Sequence, residues 1–363
     1  MIKEVTSFKD LKRFVHFVED LYKDSKHYVY PLFGVLLKEL KSEVLVKKKY
    51  KAILYIENEA LKGRLLYTFE YNHKTDRFIC YFSYFDAYNQ QIVFNQLFAY
   101  MEADMRDNKI DYSEGSFTPY DPDNRRGVLV KGFEDDPVIF TSYNYPYYQS
   151  LFESYGYQKA HDTFSLQPPV SQDNKKRLKT ISDYFIKRYD LDIKPINLKA
   201  VDSEIKDIHQ IIKESTTALL YQEAPSIELI NEVARNLKFF LEPKIILIAR
   251  EKSTSKPVGF TLCLPDFNQL FKRTKGKMKP LYFLFNKKKI TRSRGMLQYI
   301  IPKYQGTGLI GYMYKMIFDN FEKMGINEFE AGTMMEENLR SLKAFSKFGG
   351  EVVKIYRIYG KEI

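Results

Sequence analysis

A glycine-rich turn late in the chain has the composition of a phosphate-binding loop. Residues 302–311 read PKYQGTGLIG and stand between the apolar run MLQYII and the helical pattern YMYKMIFDNFEKMG. A turn that opens a helix points unpaired backbone N–H groups outward, and the helix dipole adds positive character, so such a turn can bind phosphate oxygens. Glycines at 306 and 308 allow close approach of the backbone. The alternative is a plain glycine turn between a strand and a helix.

Two common nucleotide-binding motifs are not indicated by this turn. It lacks the Lys-Ser/Thr ending of a nucleotide-hydrolysing P-loop, and it is not a GxGxxG sequence. It also lies late in the chain, where a dinucleotide-binding fold would have its fingerprint early. The phosphate compound must therefore be inferred from the residues around the turn.

Together with a second motif downstream, the turn resembles the acetyl-CoA-binding region of the GNAT N-acyltransferase superfamily. In IIPKYQGTGLIGYMYKMI, the superfamily's Gln-x-x-Gly-x-Gly pattern is matched by Gln305, Gly306 and Gly308, while Ile310 stands where Gly or Ala is usual. The stretch MEENLRSLKAFSKFGG resembles the second motif, through Glu337, Asn338, Ser341, Phe345, Lys347 and Gly349. The chain is also similar to a group of uncharacterised bacterial two-domain GNAT proteins, in YNYPYY, YGYQKAHD, VGFTLCLPDFNQ and VKIYRIYGKEI.

This resemblance implies direct transfer of an acyl group from acetyl-CoA, or another acyl-CoA, to an amine. The pyrophosphate would bind the N–H groups of the turn, and the pantetheine arm would pair with the strand before it, where a backbone N–H polarises the thioester carbonyl. The cofactor-binding residues implied are Tyr299, Ile300, Ile301, Gln305, Gly306, Thr307, Gly308, Leu309, Ile310, Asn338, Ser341 and Phe345.

The reaction also needs an acid and a base, and candidates for both are present. Many GNAT enzymes have a Tyr where this chain has Phe345, and Phe donates no proton. Tyr304 is the first substitute, with Tyr312 and Tyr299 as others; alternatively the thiolate leaves unaided, or catalysis is absent. Glu336 and Glu337 are the candidate bases, against the alternative of ordinary surface carboxylates. The candidate substrate-binding residues are Asp266 and Asn268 in LPDFNQ.

The elements that must hold these residues occur twice along the chain. YKAILYIENEALKGRLLYTFEYN and PKIILIAREKSTSKPVGFTLCLPDFN are both strand–turn–strand patterns, and Gly63 and Gly259 are offset by 196 residues. Gly156 and Gly349, each between a helical pattern and a strand, are offset by 193. We therefore predict an α/β protein of two tandem GNAT-like domains, each a mixed, mostly antiparallel twisted sheet flanked by helices. The predicted boundaries are 1–166, a linker helix over 167–192, and 193–363.

The first copy lacks the cradle, so one acyl-CoA site per chain is predicted. Its corresponding stretch, FSYFDAYNQQIVFNQLFAYM, contains no glycine, and Asp86 within it would block or repel a pyrophosphate. The first copy has instead a long loop rich in aromatic residues and Pro, GSFTPYDPDNRRGVLVKGFEDDPVIFTSYNYPYY. This loop is either a lid or acceptor wall facing the second copy, or a packed surface loop.

Composition restricts the remaining classes of function. The 363-residue chain has only two cysteines, Cys80 and Cys263, each in an apolar run, and five scattered histidines, so we expect free buried thiols and no metal site. With no long apolar stretch, we expect a cytoplasmic protein without a transmembrane segment. The net charge is +11, and residues 272–294 contain many Lys and Arg and no acid. This basic segment is either a solvated loop or a contact for an anionic cofactor, nucleic acid or lipid.

Three functions therefore remain open at the level of sequence. The first is an acyl-CoA-dependent N-acyltransferase that acts on a small-molecule or peptide amine. The second is a non-catalytic protein on a degenerate GNAT scaffold that binds nucleic acid or membrane. The third is an aminoacyl-tRNA-dependent transferase of the Fem type, which also has two GNAT-like halves. The glycine turn favours the first, because Fem-type proteins typically lack that cradle; nucleic-acid binding is possible but not favoured.

Overall fold

The computed structural model describes residues 1–117, 126–216 and 225–363. Its first half contains β1 (Ile2–Glu4), α1 (Phe8–Leu21), α2 (Phe33–Leu40), β2 (Lys51–Glu57), β3 (Ala60–Asn72), β4 (Arg77–Ala87), α3 (Gln91–Asp107), β5 (Tyr112–Gly115), β6 (Val128–Lys131), α4 (Tyr147–Ser154) and β7 (Gln158–Gln167). The remainder contains α5 (Gln172–Ile186), β8 (Leu191–Pro195), α6 (Val201–Thr216), α7 (Ile227–Leu237), β9 (Ile246–Glu251), β10 (Pro257–Pro265), α8 (Asn268–Thr274), α9 (Pro280–Asn286), β11 (Arg292–Ile300), α10 (Leu309–Met324), β12 (Glu328–Met335), α11 (Leu339–Lys347) and β13 (Glu351–Glu362).

All thirteen strands of the described residues form one continuous sheet. Its order is β1-β2-β3-β4-β5-β13-β7-β12-β11-β10-β9-β8, and β6 pairs with β13. Neighbouring strands are antiparallel except for two parallel pairs, β4 with β5 and β11 with β12. The predicted fold class, a mixed and mostly antiparallel sheet flanked by helices, is therefore confirmed.

The two halves exchange their last strands. β13, at the end of the second half, pairs with β5 of the first half, whereas β7, at the end of the first half, pairs with β12 of the second. β7 and β13 also pair with each other at the centre of the sheet. The sequence boundary between residues 167 and 192 stays a prediction, because one sheet runs through both halves.

Helix α5 lies within the predicted linker and packs against the start of α10. It begins at Ser171, whose hydroxyl accepts a hydrogen bond from the Asn174 N–H at 3.2 Å. Ile181 contacts the α10 backbone so closely that a Cβ at Gly311 would lie 2.7 Å from its Cγ2. Glycine at 311 therefore permits the contact that holds the linker helix beside the glycine turn.

The hydrophobic core has separate clusters on the two halves. In the second half, β9, β10 and α10 contribute Ile248, Phe260, Met313 and Ile317 to one cluster. In the first half, aromatic residues of β4, α3 and α4 form another, including Phe82, Phe94, Phe98 and Phe152. The predicted free, buried thiols Cys80 and Cys263 are confirmed. Of the helices in the described ranges, none combines the length and apolar content needed to cross a bilayer.

Candidate active site

The parallel strands β11 and β12 separate along their length and leave an opening in the sheet. They pair only from Arg292 to Gly295, opposite 328–331. Beyond that point β11 stays with β10 as far as Ile300, while β12 turns to β7. The side chains on both sides of the opening, at 296–300 and 333–335, are half-buried. The predicted cofactor-binding residues Tyr299 and Ile300 lie on this opening, and Ile301 is buried just after it.

A β-bulge lies where the opening begins. Leu262 faces Leu297 and Cys263 faces Gly295, so Met296 is an extra residue with no partner on β10. A bulge of this kind bends the strand and leaves one residue outside the ladder. The bulge therefore presents backbone of β11 toward the opening.

The predicted phosphate cradle follows β11 as a turn at the start of α10. Gly306 and Gly308 have φ of 76° and 100°, in the left-handed region that glycine adopts without strain. Gly308 is the N-cap of α10 and has no side-chain cap. Within the described part of the chain, no acceptor receives the N–H groups of Gly306, Gly308, Leu309 or Ile310. Four backbone donors are thus available at the positive end of a sixteen-residue helix.

The base of the turn is held by a small network on β9. Tyr304, which is buried, donates its hydroxyl hydrogen to Glu251 Oε1 at 2.7 Å, and Lys303 Nζ donates to the same oxygen at 2.8 Å. These bonds, with that from Lys303 the strongest, lower the pKa of Glu251 to about 2. The Thr307 hydroxyl donates to the Tyr304 carbonyl at 2.7 Å. The turn is therefore braced from below before any ligand binds.

Tyr304 was the predicted proton donor, but this network holds its hydroxyl at Glu251. Burial raises the pKa of its hydroxyl, and the bond to the Glu251 carboxylate raises that pKa further. A hydroxyl bonded to a carboxylate on β9 is directed away from the opening between β11 and β12. We therefore regard Tyr304 as a brace of the turn and no longer as the candidate acid.

Gln305 connects the turn to α11, which carries the second motif. Its Nε2 donates to the Ile300 carbonyl at 2.8 Å, and its Oε1 accepts from Arg340 Nη1 at 2.5 Å. Arg340 is exposed beside the cradle. Sequence reasoning missed Arg340, and its signal was a cation two residues after Asn338 in the second motif.

The other residues of the second motif have structural contacts. Asn338 is the N-cap of α11 and accepts from the N–H of Ser341 at 3.2 Å. Phe345 is buried and packs edge-on against Tyr314, with ring centroids 5.2 Å apart. Tyr314 is buried on α10, and a Cβ at Gly295 would lie 3.4 Å from its hydroxyl oxygen. The hydroxyl that Phe345 lacks is thus present on a different helix, where the two strands begin to separate.

The candidate bases Glu336 and Glu337 follow β12 and contact β7. Glu336 accepts from Lys159 Nζ at 2.6 Å and from the Asp162 N–H at 3.0 Å. Glu337 lies 3.1 Å from His161 Nδ1. Glu336 is therefore held in an ion pair, whereas Glu337 and His161 form a carboxylate–imidazole pair. Sequence reasoning missed His161, because only the strand exchange brings β7 beside β12.

Asp266 and Asn268 are buried, which does not suit their predicted role in substrate binding. Asp266 is fully buried, accepts from Arg292 Nε at 2.6 Å and accepts from the Ile139 N–H at 2.7 Å. Asn268 donates to the Pro137 carbonyl at 2.9 Å. Burial raises the pKa of Asp266, and Arg292 opposes that rise. Both residues lie at the end of β11 that is farther from the cradle. The nine residues of β11 separate its two ends by ~26 Å.

Part of the long first-half loop packs against the second half. Its residues 118–125 lie outside the described ranges, but residues 136–140 contact the second half. Arg294, buried on β11, donates to the Ile139 carbonyl at 2.8 Å and to the Gly332 carbonyl at 3.0 Å. Residues 136–140 of the loop therefore pack against the beginning of β11.

Comparison with known proteins agrees with this architecture. No family model matches the chain. The chain is 23% identical to a bacterial ceramide synthase of Caulobacter vibrioides over 296 residues, which cover 78% of this chain and 75% of that protein. It is also 23% identical to protein YghO of Escherichia coli K12 over 381 aligned positions, which cover 100% of this chain and 95% of that protein.

Solved structures establish the fold. The match to a tandem GNAT protein from the clavulanic acid biosynthesis pathway spans all of this chain and 98% of that protein. Its TM-score is 0.60 at 9% identity. A glucosamine N-acetyltransferase region of a fungal multi-domain β-N-acetylglucosaminidase gives a TM-score of 0.60 at 10% identity; this chain spans 99% of its own length and 38% of that protein. The chain therefore has the GNAT fold, in tandem.

Proposed function

We propose that this protein is an N-acyltransferase with one acyl-CoA site, formed by the second half. The observation that carries the proposal is the set of available N–H groups at 306–310, beside strands that separate from Met296 onward. Backbone donors at a helix N-terminus suit a pyrophosphate, and a strand edge suits an extended amide-containing arm. Acyl-CoA contains both groups, and its thioester supplies the activated acyl group.

In the proposed binding mode, the turn and α11 hold the phosphates together. Gly306, Gly308, Leu309 and Ile310 donate backbone hydrogen bonds to the pyrophosphate. Arg340 adds a positive charge at the mouth, where Gln305 already orients its guanidinium. Asn338 and Ser341 act indirectly, by fixing the start of α11.

In the proposed reaction, the amine nitrogen attacks the thioester carbonyl, and the carbon–sulfur bond breaks. A backbone N–H at the Met296 bulge stabilises the developing oxyanion. The amine gives one proton to a base, and the thiolate takes one proton from water as it leaves. The proposed base is the Glu337–His161 pair, because a carboxylate orients an imidazole that can accept a proton. Glu337 follows β12 beyond the level of the bulge, so the amine proton reaches the pair through water.

One similarity favours a class of acceptor amine to test first. The ceramide synthase similarity covers 78% of this chain. A ceramide is the amide of a long-chain amino alcohol. We propose that amphipathic long-chain amines be tested before small polar amines and peptides, and long-chain acyl-CoA alongside acetyl-CoA. The cytoplasmic location expected from the sequence is part of this proposal, since acyl-CoA is available there.

The proposed site is tested by titration of acetyl-CoA, long-chain acyl-CoA, CoA and ATP into the protein and two matched variants. Gly306 and Gly325 lie at opposite ends of α10, have φ of 76° and 73°, and a Cβ at either would meet no heavy atom within 4 Å. Gly306→Asp puts a carboxylate in the cradle, and Gly325→Asp puts the same group at the far end. Each substitution costs stability of about 1 kcal/mol, because both positions need left-handed backbone.

We expect Gly306→Asp to weaken acyl-CoA binding by at least about 100-fold, or about 2.7 kcal/mol, and Gly325→Asp to leave it unchanged. In a thermal-shift assay, a saturating ligand at 100 times its dissociation constant stabilises the fold by about 2.7 kcal/mol. No binding of any CoA thioester by the unaltered protein would exclude the proposal. Equal losses in both variants would place the phosphate site elsewhere.

A further inference from the structure

The connection between β10 and β11 is an insertion that only the second half has. In the first half, β3 and β4 are joined by the four residues 73–76. In the second half, the connection between β10 and β11 runs from 266 to 291 and contains α8 and α9. The proposed acyl-transfer chemistry uses no residue of α9, so the insertion requires a separate explanation.

Helix α9 exposes large apolar side chains on one face. Leu281, Leu284 and Phe285 are 70%, 64% and 75% exposed, and their spacing places them together on a helical surface. Phe283 is fully buried and anchors the helix from its other face. Met278 and Phe239 extend the exposed surface, and we call these five exposed residues the apolar patch.

Uncompensated positive charge surrounds the apolar patch. Residues 272–294 contain ten Lys and Arg and no Asp or Glu. Lys272, Lys287 and Arg292 of this segment pair with Asp136, Glu242 and Asp266. Across the described residues, no hydrogen bond or ion pair involves the side-chain nitrogen of Lys275, Lys277, Lys279, Lys288 or Lys289. Arg235 and Lys238 of the neighbouring α7 region line a groove with Phe239 and Leu284. The surface therefore combines exposed aliphatic and aromatic groups with neighbouring cations.

We propose that this surface docks the protein onto an anionic lipid bilayer. Apolar side chains on an amphipathic helix insert at the boundary between headgroups and acyl chains, and surrounding lysines bind anionic headgroups. A nucleic-acid site stacks bases on aromatic or guanidinium planes, and only two of the five patch residues, Phe239 and Phe285, are aromatic. The other three, Leu281, Leu284 and Met278, suit lipid acyl chains better than bases. The five lysines whose side chains have no acidic partner among the described residues distinguish the surface from an ordinary protein interface, whose centre is depleted of Lys.

The apolar patch is connected to the opening in the sheet by continuous packing. The cluster that buries Phe283 includes Phe240, Phe267 and Phe271, and Met296 of the β-bulge packs against it. Docking through α9 therefore holds the bulge of β11 near the membrane surface. The docking inference does not depend on acyl transfer, since it rests on exposure and charge alone.

Sedimentation of the full chain with lipid vesicles tests this inference. One set of vesicles contains only phosphatidylcholine, and the other contains seven parts phosphatidylcholine to three parts phosphatidylglycerol. We expect binding to the anionic vesicles to be at least about 100-fold tighter than to the neutral ones, and to weaken as salt is raised. No acyl-CoA is needed, so a failure of docking is distinguishable from a failure of the proposed function.

Two pairs of variants separate the apolar and electrostatic contributions. Leu281→Ser with Phe285→Ser removes apolar side chains from the patch, and Phe78→Ser with Ile92→Ser removes exposed ones from the first half. Lys279→Gln, Lys288→Gln and Lys289→Gln remove three charges, and the control removes the exposed Lys199, Lys206 and Lys213. Each lysine should strengthen binding to anionic vesicles roughly fivefold. The variant without Lys279, Lys288 and Lys289 should therefore bind them about 100-fold more weakly, while its control should bind unchanged.

Three outcomes would overturn the proposal. One is absence of binding to anionic vesicles, and another is equal loss in patch variants and controls. The third is tighter binding to single-stranded RNA than to vesicles at physiological salt, lost on the same lysine substitutions. Because every substituted side chain is exposed, circular dichroism and the unfolding midpoint should match those of the unaltered protein.

Discussion

The two halves end corresponding strands in different ways. Gly63 and Gly259 are equivalent in the repeat, and they pair with Ala87 on β4 and Ile300 on β11. In the first half the Ala87 N–H donates to the Tyr148 hydroxyl at 3.2 Å, and Tyr147 donates to the Ala87 carbonyl at 2.7 Å. In the second half the Ile300 carbonyl accepts from Gln305 instead. The same strand end is covered by tyrosines in one half and bordered by an open turn in the other.

This difference comes from corresponding helices of the two halves, α4 in the first and α11 in the second. The offset of 193 between Gly156 and Gly349 aligns Tyr147 with Arg340, and Tyr148 with Ser341. Tyr148 is buried and fills the first-half site, whereas Ser341 is small and Arg340 is exposed. The sequence analysis expected Asp86 to repel a pyrophosphate. The structure shows Asp86 bound to Arg64, so Tyr147 and Tyr148 close this site.

A buried ion pair and a ring stack occupy matching positions in the sheet. Arg64 faces Asp86 across β3 and β4, with Arg64 Nε 2.9 Å from Asp86 Oδ2. Phe260 faces Tyr299 across β10 and β11, with ring centroids 5.7 Å apart. Asp86 also accepts from the hydroxyls of Tyr22 and Tyr148. The first half thus replaces a ligand opening by an internal polar network.

The largest effect is expected from breaking the Arg64–Asp86 ion pair of the first half, whose strand end is closed by tyrosines. Arg64→Met leaves the buried Asp86 carboxylate without its cation and should lower the free energy of unfolding by about 3–5 kcal/mol. Phe260→Leu, at the matching position of the open site, should cost only about 1 kcal/mol. Urea denaturation measures both. If Arg64→Met were as mild as Phe260→Leu, the network would not be what stabilises the closed half.

An intermediate effect is expected from closing the open site with the side chain of the other half. Ser341→Tyr introduces the residue that fills the first-half site at Tyr148, and it should weaken acetyl-CoA binding by more than about tenfold, or about 1.4 kcal/mol. The control is Ser346→Tyr, on the exposed face of the same helix. Calorimetric titration compares the two. Unchanged affinity in Ser341→Tyr would show that the helix after the strand does not control access.

The smallest effect is expected on the pH dependence of stability, through Glu251, which holds the base of the glycine turn. Because the folded-state pKa of Glu251 is about 2, below the ordinary 4.5, its contribution to stability is full above pH 4.5 and is lost as pH falls toward 2. Glu251→Gln should therefore narrow the difference in unfolding temperature between pH 6 and pH 3. Glu57→Gln, at the matching position on β2, is the control. A loss of the pH dependence in the control, but not in Glu251→Gln, would contradict the role of the brace.

Local features of the chain determined the fold class and the position of the cradle. Gly306, Gly308 and the start of α10 act through backbone dihedrals and helix termini, which depend on a few consecutive residues. The absence of glycine after β4 and the repeat around Gly63 and Gly259 are equally local. These patterns, together with the resemblance of the two motifs to the GNAT superfamily, sufficed to predict the tandem GNAT fold and to place the predicted cradle in the second half.

Only the tertiary structure decided which side chains meet around the opening. The exchange of β7 and β13 brings His161 to Glu337, although they are 176 residues apart. The first-half loop reaches Asp266 and Asn268 and buries them, and Glu251 binds Tyr304 from another strand. Such contacts depend on long-range strand order and on loop packing. Periodicity and spacing carry no information about these, because they describe neighbours along the chain rather than across the sheet.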